Sequence, residues 1–114
     1  MTTMTAEQFL SIHADAIQKA REASGDYYQV NLGGRDNFPC GFAWVKVFKV
    51  RSNSKLGKAM VSVGFEKSYT GGLSLWNPSQ YNCQNVNTLA AGARAYAKVL
   101  QDNGIEAYSD SRLD

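Results

Sequence analysis

Apolar positions over residues 5–24 recur every three or four places, at Phe9, His13, Ala16, Ile17 and Ala20. That period lines side chains along one face of a helix. Thr5 and Gln8 have the spacing of a capping box that would start it, Asp15 and Lys19 the order of a favourable i,i+4 pair, and Gly25 is the expected stop. Residues 27–32 then alternate, with Tyr28, Val30 and Leu32 on one side and Tyr27, Gln29 and Asn31 on the other. Period two predicts a half-buried strand. Turn-forming residues fill 33–41. A second strand is expected over 42–50, paired with the first as a hairpin; its first half is apolar on both sides, which suits a central strand.

Arg51, Ser52, Asn53 and Ser54 break that strand. A short helix follows, with Leu56, Met60 and Val63 at helical spacing and Gly64 at its end. Leu73 and Leu75 point inward from a third strand, which leaves Ser74 and Trp76 facing away from the helices; Asn77 and Pro78 stop it. A long helix is expected over 87–102, with Asn87 as N-cap and Leu89, Ala93, Tyr96, Ala97 and Leu100 as its buried stripe. Ala90, Gly92, Ala93 and Ala97 are small enough to let it lie close to a sheet. Asn103 and Gly104 form a typical ending, latched by Ile105, and residues 105–108 make a last short strand with Ile105 and Ala107 inward. The order helix, strand, strand, short helix, strand, helix, strand predicts one α+β domain over residues 1–114. It has a single four-stranded sheet, two long helices mainly on one face, and one short helix.

Composition narrows the function classes. A 44% apolar and 11% aromatic content in 114 residues suits one folded domain. Net charge is only +2, but its distribution is uneven. Residues 46–67 hold Lys46, Lys49, Arg51, Lys55, Lys58 and Lys67 against one acid, Glu66. A local basic patch can attract anions even on a nearly neutral molecule. Two cysteines, Cys40 and Cys83, do not make a disulfide framework and suit a reducing compartment. No apolar run approaches the length of a membrane span, and the first residues lack the features of a secretory signal. A cytoplasmic protein with no membrane contact is expected.

No catalytic constellation emerges. The sequence at 40–44, Cys-Gly-Phe-Ala-Trp, resembles a cysteine-protease signature only superficially, since the middle positions differ and the single histidine, His13, lies upstream. No Gly-x-Ser-x-Gly elbow occurs. One histidine and two scattered cysteines do not make a zinc site, and Asp110 with Asp114 reads as an acidic C-terminus. The turn at 51–58 lacks the order of an NTPase phosphate loop. A non-enzymatic protein without cofactor or metal is expected.

Binding chemistry remains. Lys55 and Lys58 sit in the first turns of the short helix and Arg51 just before it, where the helix dipole favours acids. A departure from local rules of this kind marks candidate sites, and an arriving anion would relieve it; solvated lysines are the plainer reading. In the anion reading, Arg51, Lys55 and Lys58 neutralise phosphate, Ser52 and Ser54 donate hydrogen bonds, and Tyr69, Trp76 and Tyr108 stack on or shape the ligand. Asn53, Lys67 and Asn77 complete the site, and Arg112 reaches back from the C-terminal segment. The polar sheet face would carry Tyr27, Gln29, Asn31, Ser74, Trp76, Glu106 and Tyr108. Aromatic rings on a sheet beside a basic turn suit nucleotides or single-stranded nucleic acid; they also suit a protein interface or a covering loop.

Residues 51–60, 69–78 and 104–114 resemble small accessory proteins of tailed bacteriophages, a similarity that covers residues 40–114. It carries no catalytic residue across. It implies work in a host cytoplasm on nucleic acid, on a nucleotide signal of host defence, or against a host protein. The expected function is therefore a phage-type accessory module that binds a phosphate-bearing ligand, nucleotide or nucleic acid, through the basic turn. The alternative is an inhibitor or adaptor acting on a host protein, as a homo-oligomer.

Overall fold

β1 (Gly41–Val47) is the strand around which the sheet is built. It pairs antiparallel with β3 (Leu73–Trp76) on one side and with β4 (Ala107–Leu113) on the other. The two-residue β2 (Glu66–Lys67) pairs with β3, so the strand order is β2-β3-β1-β4. The computed structural model describes residues 4–33, 40–68, 71–80 and 85–113. Along β1 the small and β-branched residues Gly41, Ala43, Val45 and Val47 are all buried. Leu73, Leu75 and Ala107 join them on the same face. One sheet face is thus aliphatic and covered, as a period-two pattern requires when helices lie on one side only.

Three helices supply the cover: α1 (Ala6–Val30), α2 (Lys55–Ser62) and α3 (Val86–Asp102). α3 lies against β1 and β4, and α1 runs along α3 and touches α2. From β1 onward the connectivity is β-α-β-β-α-β with all neighbours antiparallel, the split β-α-β arrangement; α1 precedes it. Phe9, Phe65 and Tyr96 form the aromatic centre of the core, with ring centroids 6.3 Å (Phe9–Phe65) and 6.2 Å (Phe65–Tyr96) apart. Gly92 holds the two long helices close. A Cβ there would run into the Ser24 hydroxyl of α1 and into Ser79, and Ser24 Oγ donates to the Thr88 carbonyl across the same interface (2.8 Å).

The α+β class, the single four-stranded sheet, the two long helices and the short one agree with the pattern in the sequence. So do the Thr5–Gln8 capping box and the two helix endings. Gly64 (φ +115°) and Gly104 (φ +81°) adopt left-handed backbone, and the amides after them return to Met60 and Leu100, the hydrogen-bond pattern that left-handed glycines permit.

The expected strand over 27–32 is not a strand. α1 continues through Gly25 to Val30. The buried Ser24 fixes the helix against α3, and a glycine inside a helix costs only about 1 kcal/mol. The N-terminal hairpin therefore does not form, and the fourth strand is β2. α3 starts at the cap Asn85, whose side chain accepts from the Thr88 amide, two residues before the expected Asn87. β1 ends at Val47, and β4 runs on to Leu113 instead of stopping at 108. Asp15 and Lys19 form no ion pair; Lys98 and Asp102 do, at 3.3 Å. Cys83 and Asp114 lie outside the described residues.

Candidate functional site

The basic turn is built as the sequence suggests, with one change of role. Ser54 is the N-cap of α2. Its hydroxyl donates to the Arg51 carbonyl (2.6 Å) and accepts from the Gly57 amide (3.0 Å). Both capacities are used internally, so Ser54 shapes the turn and does not donate to a ligand. Gly57 is required here, because a Cβ would collide with the Arg51 carbonyl. Arg51, Lys55 and Lys58 are exposed, and among the described residues none of them pairs with a carboxylate of the protein. Arg51, Ser52 and Asn53 meet Lys67, Gly71 and Gly72 around a hollow of about 450 Å³. Lys55 and Lys58 do not line that hollow. Tyr69 lies outside the described residues.

The larger assembly is the uncovered face of the sheet. Alternation along β1 turns Phe42, Trp44 and Lys46 away from the helices, and the register sets partners beside them. Trp76 and Asp110 flank Trp44, Ser74 and Tyr108 flank Lys46, and Arg112 lies opposite Phe42. Trp44 and Trp76 have ring centroids 5.0 Å apart, and the edge of Phe42 meets Trp76 at 6.0 Å. The Arg112 guanidinium lies over Phe42, 5.6 Å from its centroid. At the other end Phe48 and Tyr108 meet edge to face at 5.8 Å, and the Lys46 ammonium sits over Phe48 at 5.2 Å. Phe42, Trp76 and Tyr108 remain 40%, 49% and 52% exposed. Rings of this size left in solvent, with cations set among them, form a platform on which flat groups can stack.

Between the tryptophans and the β2 edge lies a hollow of about 540 Å³, lined by Trp44, Trp76, Lys67, Ser74, Asp110 and Arg112 among others. Lys67 borders both this hollow and the one at the basic turn. The lysine therefore links the aromatic face to the turn. Comparison of the chain with protein-family models, curated proteins and solved structures finds no match.

Of the expected site residues, the structure gathers Arg51, Ser52, Asn53 and Lys67 at one hollow and Lys67, Trp76 and Arg112 at the next. Tyr108 lies further along the same face, against Phe48. Asn77 has a structural task. It holds left-handed backbone (φ 44°), its amide donates to Ala43, and its side-chain oxygen accepts from Ser79; asparagine tolerates that conformation better than most residues. Tyr27, Gln29 and Asn31 belong to α1 and its C-cap, not to the sheet. Phe42, Trp44, Lys46, Phe48 and Asp110 are the additions. The signal for the first two was present, since the residues alternating with them along β1 are all small or aliphatic. No described group of His, Cys, Asp or Glu could hold a metal ion, and no described helix is long and apolar enough to cross a membrane.

His13 stands away from this face. Its Nδ1 lies 2.7 Å from the Tyr96 hydroxyl, and its ring stacks near Phe9. Burial lowers the His13 pKa below its ordinary value and raises that of the Tyr96 phenol. The imidazole nitrogen and the phenol share one part-buried hydrogen bond, which ties α1 to α3.

Proposed function

We propose that the chain is a non-enzymatic binding module for a phosphate-bearing ligand with a flat base, a nucleotide or single-stranded nucleic acid. The carrying observation is the open sheet face. Trp44, Trp76, Phe42, Phe48 and Tyr108 stand on it with Lys46 and Arg112 interleaved, and Lys67 borders it from the edge strand β2. Bases would stack on the rings, where each stacked base contributes ~1–3 kcal/mol. Lys67 and Arg51 would meet phosphates along the β2 edge that leads to the basic turn, Arg112 would meet one from β4 on the other side of the sheet, and Lys55 and Lys58 would add long-range attraction. The central strands carry most of the rings, as in sheet-based single-strand readers; that parallel is one of architecture alone.

The test is titration with short single-stranded oligonucleotides and with cyclic dinucleotides at low and high salt. Binding that tightens at low salt and is lost in Trp76→Ala supports the reading. Absence of binding at low salt overturns it. A second reading, an inhibitor or adaptor docking on a host protein, draws on the exposure of Phe42, Trp76, Tyr108 and Leu113. Co-purification of a partner that survives nuclease treatment and is lost in Trp76→Ala, with no oligonucleotide binding, would favour it.

A further inference from the structure

We infer that the hollow beside Trp44 and Trp76 reads the edge of an unpaired base through Asp110, and that it prefers cytosine to uracil. The inference rests on the proposed nucleic-acid reading and adds the base class. Asp110 faces Trp44 directly in the β1–β4 register and lines the hollow together with both tryptophans. A base stacked on Trp44, the indole next to Asp110 in the sheet, would bring its edge beside this carboxylate. One oxygen, Oδ1, accepts from the Ser111 amide at 2.8 Å. Among the described residues Oδ2 has no partner, and Asp110 forms no ion pair with the cations around it. The acid is therefore oriented by its own backbone and keeps one oxygen for a visitor.

An ionised carboxylate can only accept hydrogen bonds. Cytosine and uracil have rings of the same size and stack alike, but cytosine presents an amine at position 4 where uracil presents a carbonyl. The amine donates to Oδ2, whereas the carbonyl would place two acceptors face to face. Carboxylates read cytosine N4 in this manner elsewhere. Arg112, two residues along β4 on the same face, and Lys67 on the opposite rim are placed for the flanking phosphates. The face from Phe42 to Phe48 extends roughly 20 Å at about 3.4 Å per residue, room for more than a single nucleotide. A strand with one cytosine over the tryptophans and a neighbour over Phe48 and Tyr108 is the occupant the face fits.

Both tryptophans of the chain lie in this site, so their fluorescence reports on it directly. Titration with oligocytidine and oligouridine of equal length should quench both, with oligocytidine binding about tenfold tighter, the scale of one hydrogen bond to a charged group. Asp110→Asn keeps the acceptor for the Ser111 amide and supplies an amide donor that suits uracil. It should bring the two affinities together or reverse them while binding persists. Equal affinity in the unaltered protein overturns the inference, and so does a cytosine preference that survives Asp110→Asn. A preference removed by Glu66→Gln and not by Asp110→Asn moves the reading group to β2 and overturns it as well. Quenching by neither oligomer sinks the underlying functional reading, a result distinct from binding without preference.

Discussion

The two faces of the sheet share the same strands and obey opposite rules. Beneath the helices, Ala43, Val45, Val47, Leu73, Leu75 and Ala107 are nearly sealed from solvent and carry no polar atom in their side chains. On the other side the same strands present Phe42, Trp44, Lys46, Ser74, Trp76, Tyr108, Asp110 and Arg112. The covered face is what a fold needs. The open face leaves large rings in solvent, where they add little to stability and much to the capacity to bind. β3 shows the contrast within one short strand, since Leu73 is buried and Trp76 is half exposed.

The largest expected effect breaks the covered face. Leu73→Ala should cost ~2–5 kcal/mol of stability, the range for emptying a packed leucine site, read as a lowered midpoint in urea denaturation. Trp76→Ala, three residues on, should change stability by no more than about 1 kcal/mol, the scale of a cross-strand pair. It should nevertheless weaken oligonucleotide binding by ~1–3 kcal/mol. If the two substitutions destabilise equally, the division between a structural face and a binding face fails.

Electrostatics sharpens the comparison at a smaller scale. Arg51→Glu with Lys55→Glu should make log K less dependent on log salt, by about 0.7 for each phosphate that the protein no longer neutralises. Stability should be nearly unaffected, because neither side chain is paired with a described carboxylate of the protein. The smallest effect belongs to the core. Burial holds the His13 pKa below its ordinary value, so the unfolded chain binds a proton more readily than the folded one. The His13 contribution is complete above the unfolded pKa and is lost as pH falls through the window between the unfolded and folded values. His13→Gln should flatten thermal stability across that window, read as melting temperature against pH.

The covered face was the more legible half in the sequence. Helical spacing located α1 and α3, and alternation assigned Leu73, Leu75, Ile105 and Ala107 inward, because burial imposes a period on the residue types. Tyr27, Tyr28 and Val30 misled, since their β propensity is a weak local preference and the packing of Ser24 against α3 overrode it. The open face was half legible. Trp76, Tyr108 and Arg112 stand out in the sequence, whereas the apolar run around Phe42 and Trp44 marks a central strand, which β1 is, without showing that one of its faces stays open. Asp110 escaped because an edge strand with almost nothing to bury, Ser109-Asp-Ser-Arg, has no hydrophobic period to betray it. At the basic turn the charges were evident, but the internal use of Ser54 depended on where the Arg51 carbonyl points.

The central claim is that the open face receives the ligand, and ultraviolet crosslinking of the purified protein to oligocytidine, mapped by peptide mass spectrometry, tests it most directly. The account predicts nucleotide adducts on β1 and β3 peptides carrying Trp44 and Trp76, and on the β4 peptide carrying Tyr108. Adducts confined to α1 and α3, or no adduct at low salt, would contradict it.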